Sequence, residues 1–534
     1  MAAVPAQANQ RGVNPWVVLV VVSLGFFMTL LDLTIVNIAI PNMIVKLSAS
    51  LDDILWVINA YALVLAVLLI TCGRLGDLLG QRTMFFAGVA LFTAASAACG
   101  LAPSSGWLIT FRAVQGLGAA MLMPQSLAIL TMVFPPDRRG AAFGIWGAVA
   151  GVATIAGPTL GGLLVTAFDW RYIFFINLPI GVMVLVLTVV CVPDLRTGRR
   201  HSFDIGGVAL ASLALLAICY ALVEGQKYGW GTITSFISIP LLFGVGLLLL
   251  GLFLYQQARR QAGEPLVPFS LFKDRNYALM NVVTCCIAIG MLGIFLPFTI
   301  YLQSVLGFSA IKAGLTMAPA SLVSMFVAPA AGRMSDRIGG KYILMVGLLL
   351  FGSGMGAIAI VAQPNSAWYA FLAPQVVAGV GIGCTFAPMI TVAMRNVNPM
   401  LAGAASGVFN TTRQVGTVIG TAGVGALLQN RLATGFTNQI QQLGGHLPAV
   451  ARGKLLAGFQ AAAKGGLVTH SGRRTGLASE IYTHGFVEAM RPTIIVPILF
   501  LLAGAICCVL IRPQPVAAGG TSGEVSEPSA AAAG

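Results

Sequence analysis

The sequence predicts an all-α polytopic membrane protein, and three observations carry that prediction. Of its 534 residues 57% are apolar and only 9% charged, against roughly a quarter charged in a soluble domain. Mean hydropathy is +0.90, and apolar runs of about twenty residues, the length that crosses hydrocarbon as a helix, recur from end to end. Between them, the short loops alternate between basic and nearly uncharged, as the positive-inside rule requires of a multi-pass protein.

The apolar runs place about fourteen spans, near 16–41, 54–72, 84–101, 107–133, 141–166, 171–192, 205–224, 234–256, 277–302, 312–331, 342–361, 367–392, 403–430 and 491–511. The first follows a short polar segment without a cleavable leader pattern, so it is expected to remain as a span. With both termini inside, the inner loops hold Arg74 and Arg82, Arg138 and Arg139, Arg196 with Arg199 and Arg200, Arg259 and Arg260, then Arg333, Arg337 and Lys341. Outer loops hold isolated cations such as Lys46 and Lys312. The formal charge of +14 is therefore mostly a topology signal and does not point to nucleic acid. The basic loops and both termini are expected to face the cytoplasm.

Two six-helix halves are expected, 16–192 and 277–511, after a cytoplasmic N-terminus at 1–15. Linkers at 193–204 and 257–276 flank an inserted helix pair at 205–256. A long outer loop at about 431–490 is expected, with an amphipathic helix near Leu447–Ala463, and a disordered tail at 512–534. The halves are marked by a repeat. Gly73-Arg74-Leu75-Gly76-Asp77-Leu78-Leu79-Gly80-Gln81-Arg82 follows the second span, and Gly332-Arg333-Met334-Ser335-Asp336-Arg337-Ile338-Gly339-Gly340-Lys341 follows the tenth. Each glycine permits a tight turn, and each Asp can accept hydrogen bonds from a helix N-terminus. Repeated halves around a midplane site are common in secondary transporters.

Asp32, in Leu31-Asp32-Leu33, is the one carboxylate of sixteen acids expected well inside a span. An ionised group there costs roughly 2.5–3.5 kcal/mol on insertion scales and usually marks an ion or proton pathway. The competing reading is a carboxylate hydrogen-bonded between helices for structural reasons.

At these residues a family becomes recognisable. The Gly73–Arg82 loop resembles the cytoplasmic signature of the major facilitator superfamily, and the chain is similar to its fourteen-helix drug:proton antiporter branch. Leu31-Asp32-Leu33-Thr34-Ile35-Val36-Asn37 resembles that branch's first-helix motif, Arg112-Ala113-Val114-Gln115-Gly116 its fourth-helix motif, and Gly157-Pro158-Thr159-Leu160-Gly161-Gly162 its fifth-helix antiporter motif. Trp170-Arg171-Tyr172 and Arg413-Gln414-Val415-Gly416 match further signatures. One departure stands out: Leu78 occupies a position that is commonly basic, and only the second copy keeps a cation there, Arg337. The resemblance implies a proton-coupled exporter of drugs, antibiotics or other amphipathic small molecules. It would be energised by the proton gradient without a cofactor, embedded in lipid, and functional as a monomer.

The residues support that implication. Arg112 and Asp32 lie at compatible depths. A nearby cation favours the ionised carboxylate and its removal favours proton uptake, so a helix movement between them would couple the proton to the cycle; a permanent buried ion pair is the alternative. Gly73, Asp77, Arg82, Gly332, Asp336 and Arg337 are expected to act in conformational switching, together with Gly157 and Pro158, where small residues and a proline permit close packing and bending. Phe27, Met28, Gln115 and Met123 are candidate cavity residues, as are Asn410 and Arg413 on the polar stripe of the thirteenth span. Arg413 either holds a substrate group or locks a neighbouring helix.

Other classes fit poorly. No phosphate-binding Gly-x-x-x-x-Gly-Lys-Ser/Thr loop is present, none of the four histidines lies in a span, and the nine cysteines have no metal-ligand spacing. No catalytic constellation suggests an enzyme. A facilitator or proton symporter for a metabolite is the remaining transport alternative, and a membrane sensor or scaffold the non-transport one.

Overall fold

Asn14 opens the first helix: its side-chain oxygen accepts from the Trp16 amide at 3.0 Å, and Pro15 follows where a missing N–H costs nothing. The computed structural model describes residues 14–512 apart from 50, 136–137, 195–203, 226, 235, 262–264 and most of 444–475. The first half comprises α1 (Pro15–Leu47), α2 (Leu51–Leu79), α3 (Gln81–Gly100), α4 (Ser105–Val133), α5 (Arg139–Ala167) and the broken span α6 (Tyr172–Phe175) and α7 (Asn177–Cys191). Next come α8 (Ile205–Glu224), a small antiparallel hairpin of β1 (Thr232–Thr234) and β2 (Ile237–Ser238), and α9 (Ile239–Arg259). After the short α10 (Ser270–Lys273), the second half comprises α11 (Arg275–Ile300), α12 (Ala310–Ile338), α13 (Lys341–Val361), α14 (Leu372–Met394), α15 (Ala402–Leu443) and α16 (Leu477–Val509).

Twelve of these spans, with α6 and α7 as one, are long and apolar enough to cross a membrane. The 29-residue α5 and the 42-residue α15 pack among them, α5 against α1 and α12, and α15 against α2, α11 and α16. The described residues thus form fourteen long helices. Two seams join the halves: α2 on α15 and α5 on α12. The inserted α8 packs on both α2 and α15, where Ala66, Cys219 and Val418 form one buried cluster. Its base is fixed by Asp204, which caps α8 through the Gly207 amide (2.9 Å) and accepts from Gln257 (2.7 Å) and Arg260 (3.0 Å) of the α9 end.

The expected outer loop at about 431–490 needs correction. Arg431 to Leu443 continues α15, and Leu477 to Met490 is already α16. Phe436 stacks on Tyr482 with ring centroids 5.7 Å apart, and Asn438 and Gln439 donate to the two oxygens of Glu488 at 2.9 and 3.0 Å. Hydropathy ends where lipid ends, whereas a helix continues while one face stays buried. The amphipathic segment expected near Leu447–Ala463, the tail beyond Arg512, most of the 193–204 linker and nearly all of 1–15 lie outside the described residues.

Candidate functional site

Asp32 on α1 is fully buried, as are Arg112 and Gln115 one helical turn apart on α4. An i, i+3 pair lies on one helix face, so both α4 side chains meet the same carboxylate. Arg112 Nη1 donates to Asp32 Oδ2. Gln115 Nε2 donates to Asp32 Oδ1 at 3.0 Å, and Gln115 Oε1 accepts from Arg112 Nη1 at 2.8 Å, which closes a three-membered ring of hydrogen bonds. Arg112 Nε donates to the Val57 carbonyl of α2 at 3.0 Å, and the guanidinium lies 4.4 Å from the Tyr61 ring centre. Gly116 makes this approach possible: a Cβ there would stand 2.6 Å from the Tyr61 carbonyl oxygen. Both carboxylate oxygens and three helices are thus engaged around a group that water does not reach. The arrangement can hold a proton or an ion pair, and changing between the two requires α1 and α4 to move or water to enter.

The two repeated loops interlock the halves at the basic end of the bundle. Asp77, at the end of α2, accepts from the Gly403 and Ala404 amides at 2.9 and 2.8 Å, in the buried first turn of α15. Asp336, at the end of α12, accepts from the Gly140 and Ala141 amides at 2.8 and 3.0 Å, the N-terminus of α5. Each carboxylate satisfies two amides that lack an intrahelical partner and complements the positive end of the helix dipole. Around each, backbones touch. A Cβ on Gly73 would meet the Gly403 oxygen at 2.7 Å, and one on Gly332 the Gly140 oxygen at 2.0 Å. Arg74 stands 3.8 Å from Asp77. The last cation of each copy serves its own half: Arg82 donates to the Val189 carbonyl at 2.5 Å near the end of α7, and Lys341 to the Val509 carbonyl at 2.7 Å at the end of α16.

Several expected site residues lie elsewhere. Arg337 is exposed on the last turn of α12 and has no hydrogen bond or ion pair among the described residues; the junctions close without it, and Leu78 in the first copy therefore forfeits nothing there. Met28 and Met123 belong to the main hydrophobic core, and half-buried Phe27 packs against a second cluster. Gln115 serves the Asp32 ring. Gly157 packs on α1, where a Cβ would stand 2.0 Å from Thr34 Oγ1; the Pro158 side chain lies outside the description. Asn410 donates to the Ser406 carbonyl at 2.9 Å, and Ser406 Oγ to the Pro124 carbonyl of α4. Half-buried Arg413, two turns along the same face, has no hydrogen bond or ion pair among the described residues.

Sequence reasoning missed Arg139, counted only as an inner-loop cation. Its guanidinium donates to the carbonyls of Thr131 (2.5 Å) and Phe134 (3.1 Å) at the end of α4 and of Met394 (3.1 Å) at the end of α14, which ties three helices across the two halves. No local signal distinguishes it from its exposed neighbours.

A buried acid–base ring between α1 and α4, within two halves that exchange helix caps, defines a membrane transporter of two pseudo-equivalent units. The chain belongs to the major facilitator superfamily: the family's model matches residues 22–421. It is 34% identical over 95% of its length to the tetracenomycin C resistance and export protein of Streptomyces glaucescens, covering 92% of that protein. It is 36% identical to the multidrug resistance protein Stp of Mycobacterium tuberculosis, covering 77% of this chain and 75% of that one. With the puromycin resistance protein of Streptomyces alboniger it shares 34% identity over 82% of this chain and 86% of that one. The crystal structure of the human organic anion transporter MFSD10 superposes with a TM-score of 0.55 at 13% identity, over 91% of this chain and 99% of that one, a likeness of fold.

Proposed function

We propose that the protein is a proton-coupled exporter of antibiotics or other amphipathic small molecules, working by alternating access from a bacterial cytoplasmic membrane with the basic end inside. The observation that carries the coupling is the Asp32–Arg112–Gln115 ring. A carboxylate fully shielded from water but bound to a movable cation gains or loses a proton only when the helices holding it shift. The direction of transport rests on the relatives, whose names record antibiotic and multidrug resistance and, for one, export. The proton gradient supplies the energy, no cofactor is required, and one chain surrounded by lipid carries the cycle.

The two Asp-capped junctions close the inner side in this conformation. Breaking them opens the inner side, and Asp32 then exchanges its proton with the cytoplasm. Reconstituted protein should extrude an antibiotic or dye against a gradient when a pH difference is imposed, and an uncoupler should abolish it. Flux unaffected by the pH difference would favour a facilitator, and absence of any flux a sensor or scaffold.

A further inference from the structure

We propose that Gln375 is a substrate-binding residue, the second half's counterpart of Arg112, and that it takes a neutral group with adjacent hydrogen-bond donor and acceptor, such as a hydroxy-ketone or a carboxamide. The proposal rests on the exporter reading above and adds to it the chemistry that the second half recognises.

The correspondence follows from packing. Gly116 presses on Tyr61 as Gly379 presses on Ala320, and Gly118 on Phe92 as Gly381 on Phe351. Tyr61 and Ala320 stand as far apart in sequence as Phe92 and Phe351, Gly73 and Gly332, and Asp77 and Asp336. Gly116 and Gly379 share their spacing with Gly118 and Gly381 and with the capped Gly140 and Gly403. The same step carries Arg112 to Gln375. The two side chains therefore occupy equivalent positions on α4 and α14, each one turn before the glycine that lets its helix touch the neighbour.

Their surroundings differ. Arg112 has its carboxylate, its glutamine and a carbonyl. Gln375 is fully buried, and neither its Oε1 nor its Nε2 has a hydrogen-bond partner. Among the described residues it is the one buried amide side chain with both ends unpaired; Asn42, Gln125, Asn177 and Gln256 each leave only a buried oxygen. An unmatched buried donor or acceptor is destabilising, and such a group in a native structure calls for an explanation such as a ligand or a water. One turn beyond the glutamine α14 packs closely on two neighbours: a Cβ on Gly379 would lie 2.5 Å from the Ala320 oxygen of α12, and one on Gly354 of α13 would lie 2.5 Å from the Ala378 amide nitrogen. The free amide offers an NH2 donor and a C=O acceptor side by side, which match a neutral donor–acceptor pair better than an ion. Gln375 is sealed here just as Asp32 is, and a ligand reaches it only when the helices around it move apart.

The test uses the full-length protein purified in detergent, with two fluorescent cations as probes. Doxorubicin carries adjacent hydroxyl and carbonyl groups and ethidium does not. Gln375→Met keeps the shape and removes both hydrogen-bonding ends. The expected result is about tenfold weaker doxorubicin binding, the scale of one or two lost hydrogen bonds, with ethidium affinity unchanged and partial recovery in Gln375→Asn. Unchanged affinity for both probes, a proportional loss of both, or parent protein that binds ethidium but not doxorubicin would each overturn the proposal. If Gln375→Met fails to fold, Gln375→Asn and Gln375→Glu are titrated with the same probes, and equal effects on both probes count against it. Flux under a pH difference is measured separately: binding without proton-driven flux refutes the exporter reading, while the Gln375 comparison still stands or falls on the dissociation constants.

Discussion

Asp77 and Asp336 each cap a helix of the half to which they do not belong. Asp77 ends α2 and holds the start of α15; Asp336 ends α12 and holds the start of α5. The exchange ties the halves through one pair of hydrogen bonds per carboxylate, set beside the close backbone contacts of the α2–α15 and α5–α12 seams. Each helix cap contributes about 0.5–2 kcal/mol to that contact.

Asp77→Asn is expected to weaken this contact. The amide keeps one acceptor but turns an N–H2 toward a backbone donor and removes the charge at the α15 dipole. Turnover in proteoliposomes should fall several-fold while the dissociation constant of the transported compound stays within about twofold, since one cap is weakened and no binding group is touched. A large loss of affinity with normal turnover at saturation would assign Asp77 to binding.

Asp32→Asn keeps the shape of the buried ring and removes the ionisable group. Proton-driven accumulation should drop by at least about a hundredfold, the loss of more than about 2.7 kcal/mol of coupling, with expression and thermal stability near the parent. Full pH-driven transport by this variant would exclude Asp32 as the coupling residue.

Arg112→Ala removes the cation beside Asp32, and the ionised carboxylate loses the partner that favours it. The pH dependence of ligand binding should therefore change, and Arg112→Lys should change it less, because the charge stays while the guanidinium fork is lost. An unchanged pH dependence in a folded Arg112→Ala protein would reduce the residue to packing.

Arg139→Ala should loosen the inner closure from its other side. Three carbonyls at the ends of α4 and α14 lose their donor, at a cost of about 1–3 kcal/mol for those left unmatched. A cysteine placed at the junction, for instance Ser406→Cys, should then react faster with a thiol reagent applied from the cytoplasmic side. An unchanged labelling rate would show that Arg139 does not hold the closed state.

Substituting Gly332 by Val tests the junction sterically. The new Cβ would stand 2.0 Å from the Gly140 carbonyl oxygen, and backbone cannot yield as a side chain can. The closed inner side should become inaccessible, and transport should fall to background with the protein still inserted. Near-normal flux would mean that α5 and α12 separate there without consequence.

Much was legible in the chain before folding, and the reason is local. Span positions follow from runs of apolar residues, because each helix satisfies its own backbone in lipid. Asp32 stands out because a carboxylate in such a run is costly wherever it folds. The repeated Gly-x-x-x-Asp loops, with their following cations, pointed to helix capping because that chemistry is written in residue type and spacing. The sequence alone thus determined a helical membrane protein in two related halves and singled out Asp32, Arg112, Asp77 and Asp336. Which helix each Asp caps was decided only by tertiary structure, since the Gly403 amide that Asp77 binds lies 326 residues away. The same holds for Gln115 in the Asp32 ring, for Met28 and Met123 in the core, for Arg139 across three helix ends and for the unpaired Gln375. Hydropathy records what a segment prefers to face; which partner it meets is fixed by the packing of glycine-lined helices that no local pattern specifies.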